Sequence, residues 1–283
     1  MSVPSHIDVQ GVRMPTLVYG TAWKEERTEP LVRQALEAGF RGIDTANQRK
    51  HYHEAGVGAA LREALAYGLV ARADLFVQTK FTHLRGQDHR LPYDPAAPLA
   101  EQVAQSFQRS LEHLGVDHLD SYVLHGPAGA RGLSPADWEA WGAMEALQRA
   151  GRTRILGVSN VSMAQLAELH AGASVKPAVV QNRTLVHPHA DRDVRAFCRE
   201  RGMAYQGFSL LTAAPALLAH PAVRSAAARA ASTPAAMMLR FWLEQGVVVL
   251  TGTSSREHMA QDLAARDATL LPEESAAILR ALG

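Results

Sequence analysis

The chain of 283 residues has a single cysteine, Cys198. That excludes an intramolecular disulfide framework and any site built from several thiolates. An excess of one charge is also missing. Lys and Arg number 29 against 28 Asp and Glu, a formal net charge of +1, so nothing favours nucleic acid or an acidic membrane surface as partner. No run of 18 uncharged apolar residues occurs, so no spanning helix is expected. Met1–Pro15 lacks the basic stretch and apolar run of a signal peptide. Apolar residues nevertheless make up 47%, which excludes disorder as the dominant state. The expectation is a soluble, cytoplasmic protein.

Short apolar runs alternate with longer amphipathic ones along the whole chain. Eight of the short ones read as buried parallel strands: Thr16–Gly20, Arg41–Ile43, Leu75–Thr79, Leu119–Leu124, Ile155–Val158, Ala178–Val180, Ala204–Phe208 and Val247–Leu250. Helical segments follow them at Glu29–Ala38, Glu54–Ala66, Leu99–Leu114, Pro135–Arg149, Ser162–His170, Asp191–Arg201, Pro234–Gln245 and Ser255–Ala264. Eight such units predict an α/β fold, a (β/α)8 TIM barrel in one domain over residues 1–283. The alternative, an open doubly wound sheet that binds dinucleotides, wants a G-x-G-x-x-G turn, and none follows any strand. Residues 1–15 are read as a hairpin plugging the barrel bottom and residues 272–283 as an extra C-terminal helix. The Ala-rich stretch Ala213–Ala236 is read as packed helix.

In such a barrel the active site lies at the C-terminal ends of the strands. The second strand delivers Asp44 there, the third Lys80, the fourth His125. Each alone is more simply an ion pair or a satisfied core histidine; together, on three consecutive strands, they read as a functional cluster.

The strings Gly42-Ile-Asp-Thr-Ala46, Gln78-Thr-Lys80, Leu119-Asp-Ser-Tyr-Val-Leu-His125, Gly157-Val-Ser-Asn160 and Val180-Gln-Asn182, in order and in register, resemble the aldo-keto reductase family. The resemblance implies reduction of aldehydes or ketones by hydride transfer from a nicotinamide cofactor, with Asp44, Tyr52, Lys80 and His125 as the catalytic set. Tyrosine would be the general acid, since hydride arrival at a carbonyl carbon leaves charge on oxygen. The family pattern places that tyrosine five residues after the aspartate, where this chain has Arg49. Aligning Glu54 with the family glutamate makes the segment two residues longer and puts His51 at the tyrosine position, with Tyr52 one later. Tyr52 is the only tyrosine in the segment. A branch of the family known mostly from fungal and bacterial sequences has a string of this Lys-His-Tyr-x-Glu-Ala-Gly-Val-Gly type, and the chain resembles that branch.

For the cofactor, the resemblance matches Ser159, Asn160 and Gln181 to the nicotinamide carboxamide and Phe208 to the ring that stacks on nicotinamide. It places the phosphates and adenosine on Ser209, Leu211, Gly252, Thr253, Ser254, Ser255 and His258, and adenine on Gln261 and Asp262. Backbone N–H groups at the start of the last barrel helix suit phosphate. Gly252 and His258 stand where many relatives carry the lysine and arginine that clamp a 2′-phosphate. NADPH is the expected cofactor, with NADH left open. Trp23 matches a substrate-pocket tryptophan. The short C-terminal segment implies a more open pocket and broad specificity. No metal site, nucleic acid or membrane is expected as partner, and the family default is a monomer. Two rival functions stand beside the reductase: a barrel enzyme forming a Schiff base through Lys80, and a non-catalytic, nicotinamide-binding subunit that senses redox state.

Overall fold

The computed structural model describes residues 3–213 and 215–282. Met1, Ser2 and Gly283 of the two terminal segments, and Ala214 of the Ala-rich stretch, lie outside the described residues. Two short strands come first, β1 (His6–Val9) and β2 (Val12–Pro15), paired antiparallel. Eight parallel strands follow: β3 (Leu17–Gly20), β4 (Gly42–Asp44), β5 (Phe76–Phe81), β6 (Leu119–Leu124), β7 (Thr153–Ser159), β8 (Val179–Asn182), β9 (Ala204–Gly207) and β10 (Val248–Thr251). They close into a barrel in sequence order, with β10 pairing back onto β3. All eight expected strands are present, most with shifted ends. Four helices connect the first of these strands: α1 (Thr28–Ala38), α2 (Glu54–Ala66), α3 (Leu99–Leu114) and α4 (Pro135–Arg149). Two more, α5 (Met163–Gly172) and α6 (Arg192–Glu200), lead to β8 and β9.

The Ala-rich stretch differs from the single helix expected. It holds α7 (Pro215–Ala219), α8 (Pro221–Arg229) and the start of α9 (Pro234–Glu244). Proline explains the breaks: it has no N–H for the preceding turn and is tolerated only at a helix start. His220 and Thr233 cap the helices that begin at Pro221 and Pro234. The chain continues through α10 (Arg256–Ala264) after β10 and α11 (Pro272–Ala281). No described helix is long and apolar enough to cross a membrane.

Two-residue alternation along each strand sorts the side chains. One set, including Val77, Tyr122, Leu156, Val180 and Val249, joins the apolar layer against the helices. The other set fills the barrel in storeys. Val9, Val12 and Met14 of the β1–β2 hairpin meet Phe76, Ile155, Val179, Ala204 and Val248 as an apolar floor. Gly157 belongs to the inward set, where an added Cβ would come within 2.9 Å of Val179 Cβ. One step further along β5, β8 and β9 the same parity presents Gln78, Gln181 and Gln206. One more step along β5 presents Lys80.

Candidate active site

β4 ends on Asp44, whose carboxylate points inward and is 3% exposed. Lys80 of β5 is fully buried. Its ammonium donates to Asp44 Oδ1 and Oδ2, each at 2.7 Å, and to the Thr45 carbonyl at 2.7 Å. These three contacts use all three ammonium protons. Burial draws the Lys80 ammonium below its ordinary value, and the adjacent Asp44 carboxylate opposes that. Gln78 and Gln181 also donate to Asp44 Oδ1, at 2.7 and 3.0 Å. A buried ion pair in which both partners are further hydrogen-bonded meets the condition for tolerating buried charge.

Tyr52 lies just ahead of α2, and Lys80 Nζ is 5.1 Å from its ring centroid. The Tyr52 and His125 rings meet edge to face, with centroids 5.8 Å apart. His51 instead stacks on Trp23 at the cavity lip, with centroids 3.9 Å apart, and its carbonyl accepts from the Trp23 N–H at 2.7 Å. Of the two residues in the lengthened segment, then, Tyr52 is the one that meets Lys80 and His125. Burial, and after it the charge of Asp44, push the Tyr52 phenol above its ordinary value. Burial, and after it the charges of Lys80 and His51, push the His125 imidazole down to about 3. At neutral pH both the phenol and the imidazole are therefore uncharged. The Thr82 hydroxyl lies 2.7 Å from His125 Nδ1. Asn160 Nδ2 holds the His125 carbonyl at 2.8 Å.

These groups open onto a cavity of about 1290 Å3. Its lining includes Trp23, Asp44, Tyr52, His125, Ser159, Asn160, Gln181, Phe208, Ser209, Leu211, Gly252, Thr253, His258, Gln261 and Asp262. Three residues expected at the site do not line it. Lys80 sits behind Asp44 and Tyr52, and its amine has no open approach for a Schiff base. Ser255 accepts from the His258 N–H at 3.3 Å and caps α10. Ser254 lies in the loop before it. The Asp262 carboxylate is already committed, accepting from Thr251 Oγ1, and burial raises its pKa.

Asn160 and Ser209 both have positive φ, +52° and +57°. Each turns the chain sharply just past a strand end, which brings the residue to the cavity wall. The cavity also takes in Gln48, Thr82 and Arg85, which the sequence does not mark. Lys24 lies outside that lining. It donates to the Gly252 carbonyl, and a Cβ built on Gly252 would lie 3.6 Å from its Nζ. No sequence signal joins two residues 228 positions apart.

A nicotinamide dinucleotide fits the residues present. The volume exceeds the 300–1,000 Å3 that is ordinary for drug-sized ligands. Both N–H groups of the Gln181 amide are taken, by Asp44 and by Gln206 at 2.9 Å, so its Oε1 is the atom left to a ligand. At the far end the cavity reaches His258 in the first turn of α10, whose N-terminus Ser255 caps, and a helix start suits phosphate.

The sequence pattern of the aldo/keto reductase family matches residues 16–283. An aldo-keto reductase of Mycolicibacterium vanbaalenii is 33% identical over 98% of this chain and 91% of its own length. The aldo-keto reductase family 1 member A1 of Pongo abelii is 32% identical over 93% of this chain and 85% of its own. The crystal structure of an aldo/keto reductase from Brucella melitensis superposes with a TM-score of 0.82 at 29% identity, covering all of both chains. A Bombyx mori aldo-keto reductase solved in complex with NADP superposes with a TM-score of 0.81 at 25% identity, over 99% of this chain and 93% of its own. The closed eight-stranded barrel, the buried Asp44–Lys80 pair beside Tyr52 and His125, and a family match across nearly the whole sequence agree: this chain belongs to the aldo/keto reductase family.

Proposed function

We propose that this enzyme reduces aldehydes or ketones to alcohols with NADPH, and that Tyr52 is the proton donor. The observation that carries the reading is the meeting of Tyr52, Lys80, Asp44 and His125 at one end of a cavity that also reaches Ser159, Asn160, Gln181 and the start of α10. NADPH supplies the hydride when bound. Ser159, Asn160 and Gln181 would hold its nicotinamide amide, and Phe208 its ring. Ser209, Leu211, Thr253 and the α10 N-terminus would hold the phosphates, with Gln261 and Asp262 toward adenine.

The chain's own groups handle the proton and the developing charge. Tyr52 stays protonated in the free protein because burial and Asp44 disfavour its phenolate. As charge grows on the substrate oxygen, the Tyr52 hydroxyl donates its proton, and the Lys80 ammonium beneath the ring stabilises the phenolate left behind. His125, neutral, acts as a hydrogen-bond donor that orients the carbonyl rather than as an acid. The Thr82 hydroxyl is placed to donate to Nδ1, and that role for His125 requires the imidazole proton on Nε2. Asp44 holds Lys80 in place. Trp23, 71% exposed and part of the cavity lining, would form one wall of the substrate entrance, and its exposure supports an open pocket of broad specificity.

Lys24, beside Gly252, supplies the cation for the 2′-phosphate that the glycine itself lacks, which supports NADPH over NADH. We also assign the chain to the family branch carrying the Lys50-His-Tyr-His-Glu-Ala-Gly-Val-Gly58 string. Residues 1–283 would work as one unit, and a monomer would suffice for the chemistry, since one barrel assembles the whole proposed site.

The test is Tyr52→Phe with 4-nitrobenzaldehyde as substrate. Nucleotide binding is followed by quenching of tryptophan fluorescence. The variant should bind NADPH like the parent and lose about 10²–10⁴-fold in kcat. Retained turnover would remove Tyr52 as the donor, and failure of the parent to bind either nucleotide would remove the reductase reading.

A further inference from the structure

Three glutamine amides close a hydrogen-bonded ring with Asp44 Oδ1 inside the barrel, beneath the cavity. Gln78 and Gln206 are fully buried, and Gln181 is 3% exposed. Gln78 Nε2 donates to Gln206 Oε1 at 2.8 Å, and Gln206 Nε2 donates back to Gln78 Oε1 at 3.1 Å. Gln181 Nε2 donates to the same Gln206 Oε1 at 2.9 Å. Gln78 Nε2 and Gln181 Nε2 also donate to Asp44 Oδ1. The remaining Gln206 contact is a long one, from Nε2 to the Met14 sulfur at 3.6 Å.

The direction of each amide follows from Asp44. An ionised carboxylate accepts only, so both glutamines that touch it must turn their nitrogens toward it. Gln206 then faces two amide nitrogens and must present its oxygen. Its own nitrogen turns to Gln78 Oε1, which makes Gln78 and Gln206 a reciprocal amide pair. For Gln181 the result is that both N–H groups are consumed, one by Asp44 and one by Gln206. Only Oε1 can serve a ligand. Without the Gln206 acceptor, one Gln181 N–H would lose its partner and could be offered to a ligand, while Asp44 still holds the nitrogen by the other.

We infer that Gln206, which does not line the cavity, is a positioning residue: it fixes Gln181 as a pure acceptor, so that the site selects a nicotinamide bearing a carboxamide N–H. The inference rests on the NADPH reading above. It also links cofactor recognition to the Asp44–Lys80 pair, because one carboxylate oxygen anchors both.

The test compares equilibrium binding of NADP⁺ and of its 3-acetylpyridine analogue, in which a methyl group replaces the amide nitrogen. Calorimetry gives both dissociation constants in the parent and in Gln206→Met. The parent should prefer NADP⁺. In Gln206→Met the affinity for NADP⁺ should fall about five- to tenfold, the worth of one ordinary hydrogen bond, while the analogue should bind as before. The preference should therefore shrink toward unity. A general loosening of the barrel would weaken both ligands alike and leave their ratio unchanged; that result would overturn the inference while leaving the NADPH reading intact. Gln206→Ala gives the same ratio with a smaller side chain should methionine be too bulky to fold. A parent that binds neither ligand would remove the cofactor reading and the inference together.

Discussion

Lys80→Met isolates the ion pair at the centre of the site. Methionine fills much of the lysine volume but removes the charge. In the parent, Asp44 Oδ2 is bonded to Lys80, while Oδ1 also accepts from Gln78 and Gln181. The variant thus keeps a buried carboxylate with one oxygen deprived of its donor, and the Thr45 carbonyl loses its donor too. Removing one partner of a buried pair costs about 3–5 kcal/mol. For a chain of this length that corresponds to a fall in Tm of about 5–8 °C. The partner variant Asp44→Asn strands the lysine instead. Because each single change leaves a buried group uncompensated, the double variant should be less damaged than the two losses combined, with a coupling of about 2–3 kcal/mol. Urea unfolding at pH 7 of the four proteins measures this directly. Additivity within about 0.5 kcal/mol, together with an unchanged Tm for Lys80→Met, would refute the charged, mutually dependent pair on which the Tyr52 chemistry rests.

Further outcomes follow from other parts of the molecule. Lys24→Met should weaken NADPH about tenfold, as loss of a charge-assisted bond does, and leave NADH little changed in fluorescence titrations; equal losses would move Lys24 away from the 2′-phosphate. The His125 imidazole is depressed from 6.5 to about 3. Above pH 6.5 it is neutral whether the chain is folded or not. Between those values the unfolded chain binds a proton that the folded protein refuses, so stability is lost as pH falls through that window, by up to about 1.4 kcal/mol per unit. His125→Asn should remove that component from the denaturation-versus-pH curve, and an unchanged acid slope would contradict the depressed value. Gly58→Ala should destabilise by about 3 kcal/mol or more, because its Cβ would sit 1.8 Å from the His113 carbonyl oxygen on α3. Gly142→Ala, with nothing within 4 Å, should instead stabilise α4 by about 0.5–1 kcal/mol. Thermal denaturation separates the two glycines.

The barrel is legible in the chain alone. Eight apolar runs carry their own signal, because a parallel strand covered on both faces must be apolar throughout. Helix ends were legible where a glycine or a capping serine marks them, as at Gly39, Gly115 and Ser134. Prolines at 221 and 234 were equally readable as breaks, yet alanine content favoured one helix, and the local backbone rule won over propensity. Asp44, Lys80 and His125 stood out because a charged or polar side chain directly after a buried strand needs a reason. Spacing leaves other points open, and the folded barrel settles them. It set Tyr52 against Lys80 and His125 and His51 against Trp23, although the two are neighbours in the chain. It brought Lys24 to Gly252 from the opposite end of the sequence. It also gathered Gln78, Gln181 and Gln206 around one oxygen of Asp44. Each glutamine reads locally as a polar exception in an apolar strand. Its partners come from strands that only barrel closure makes neighbours, and amide direction is fixed by those partners and not by the chain on either side.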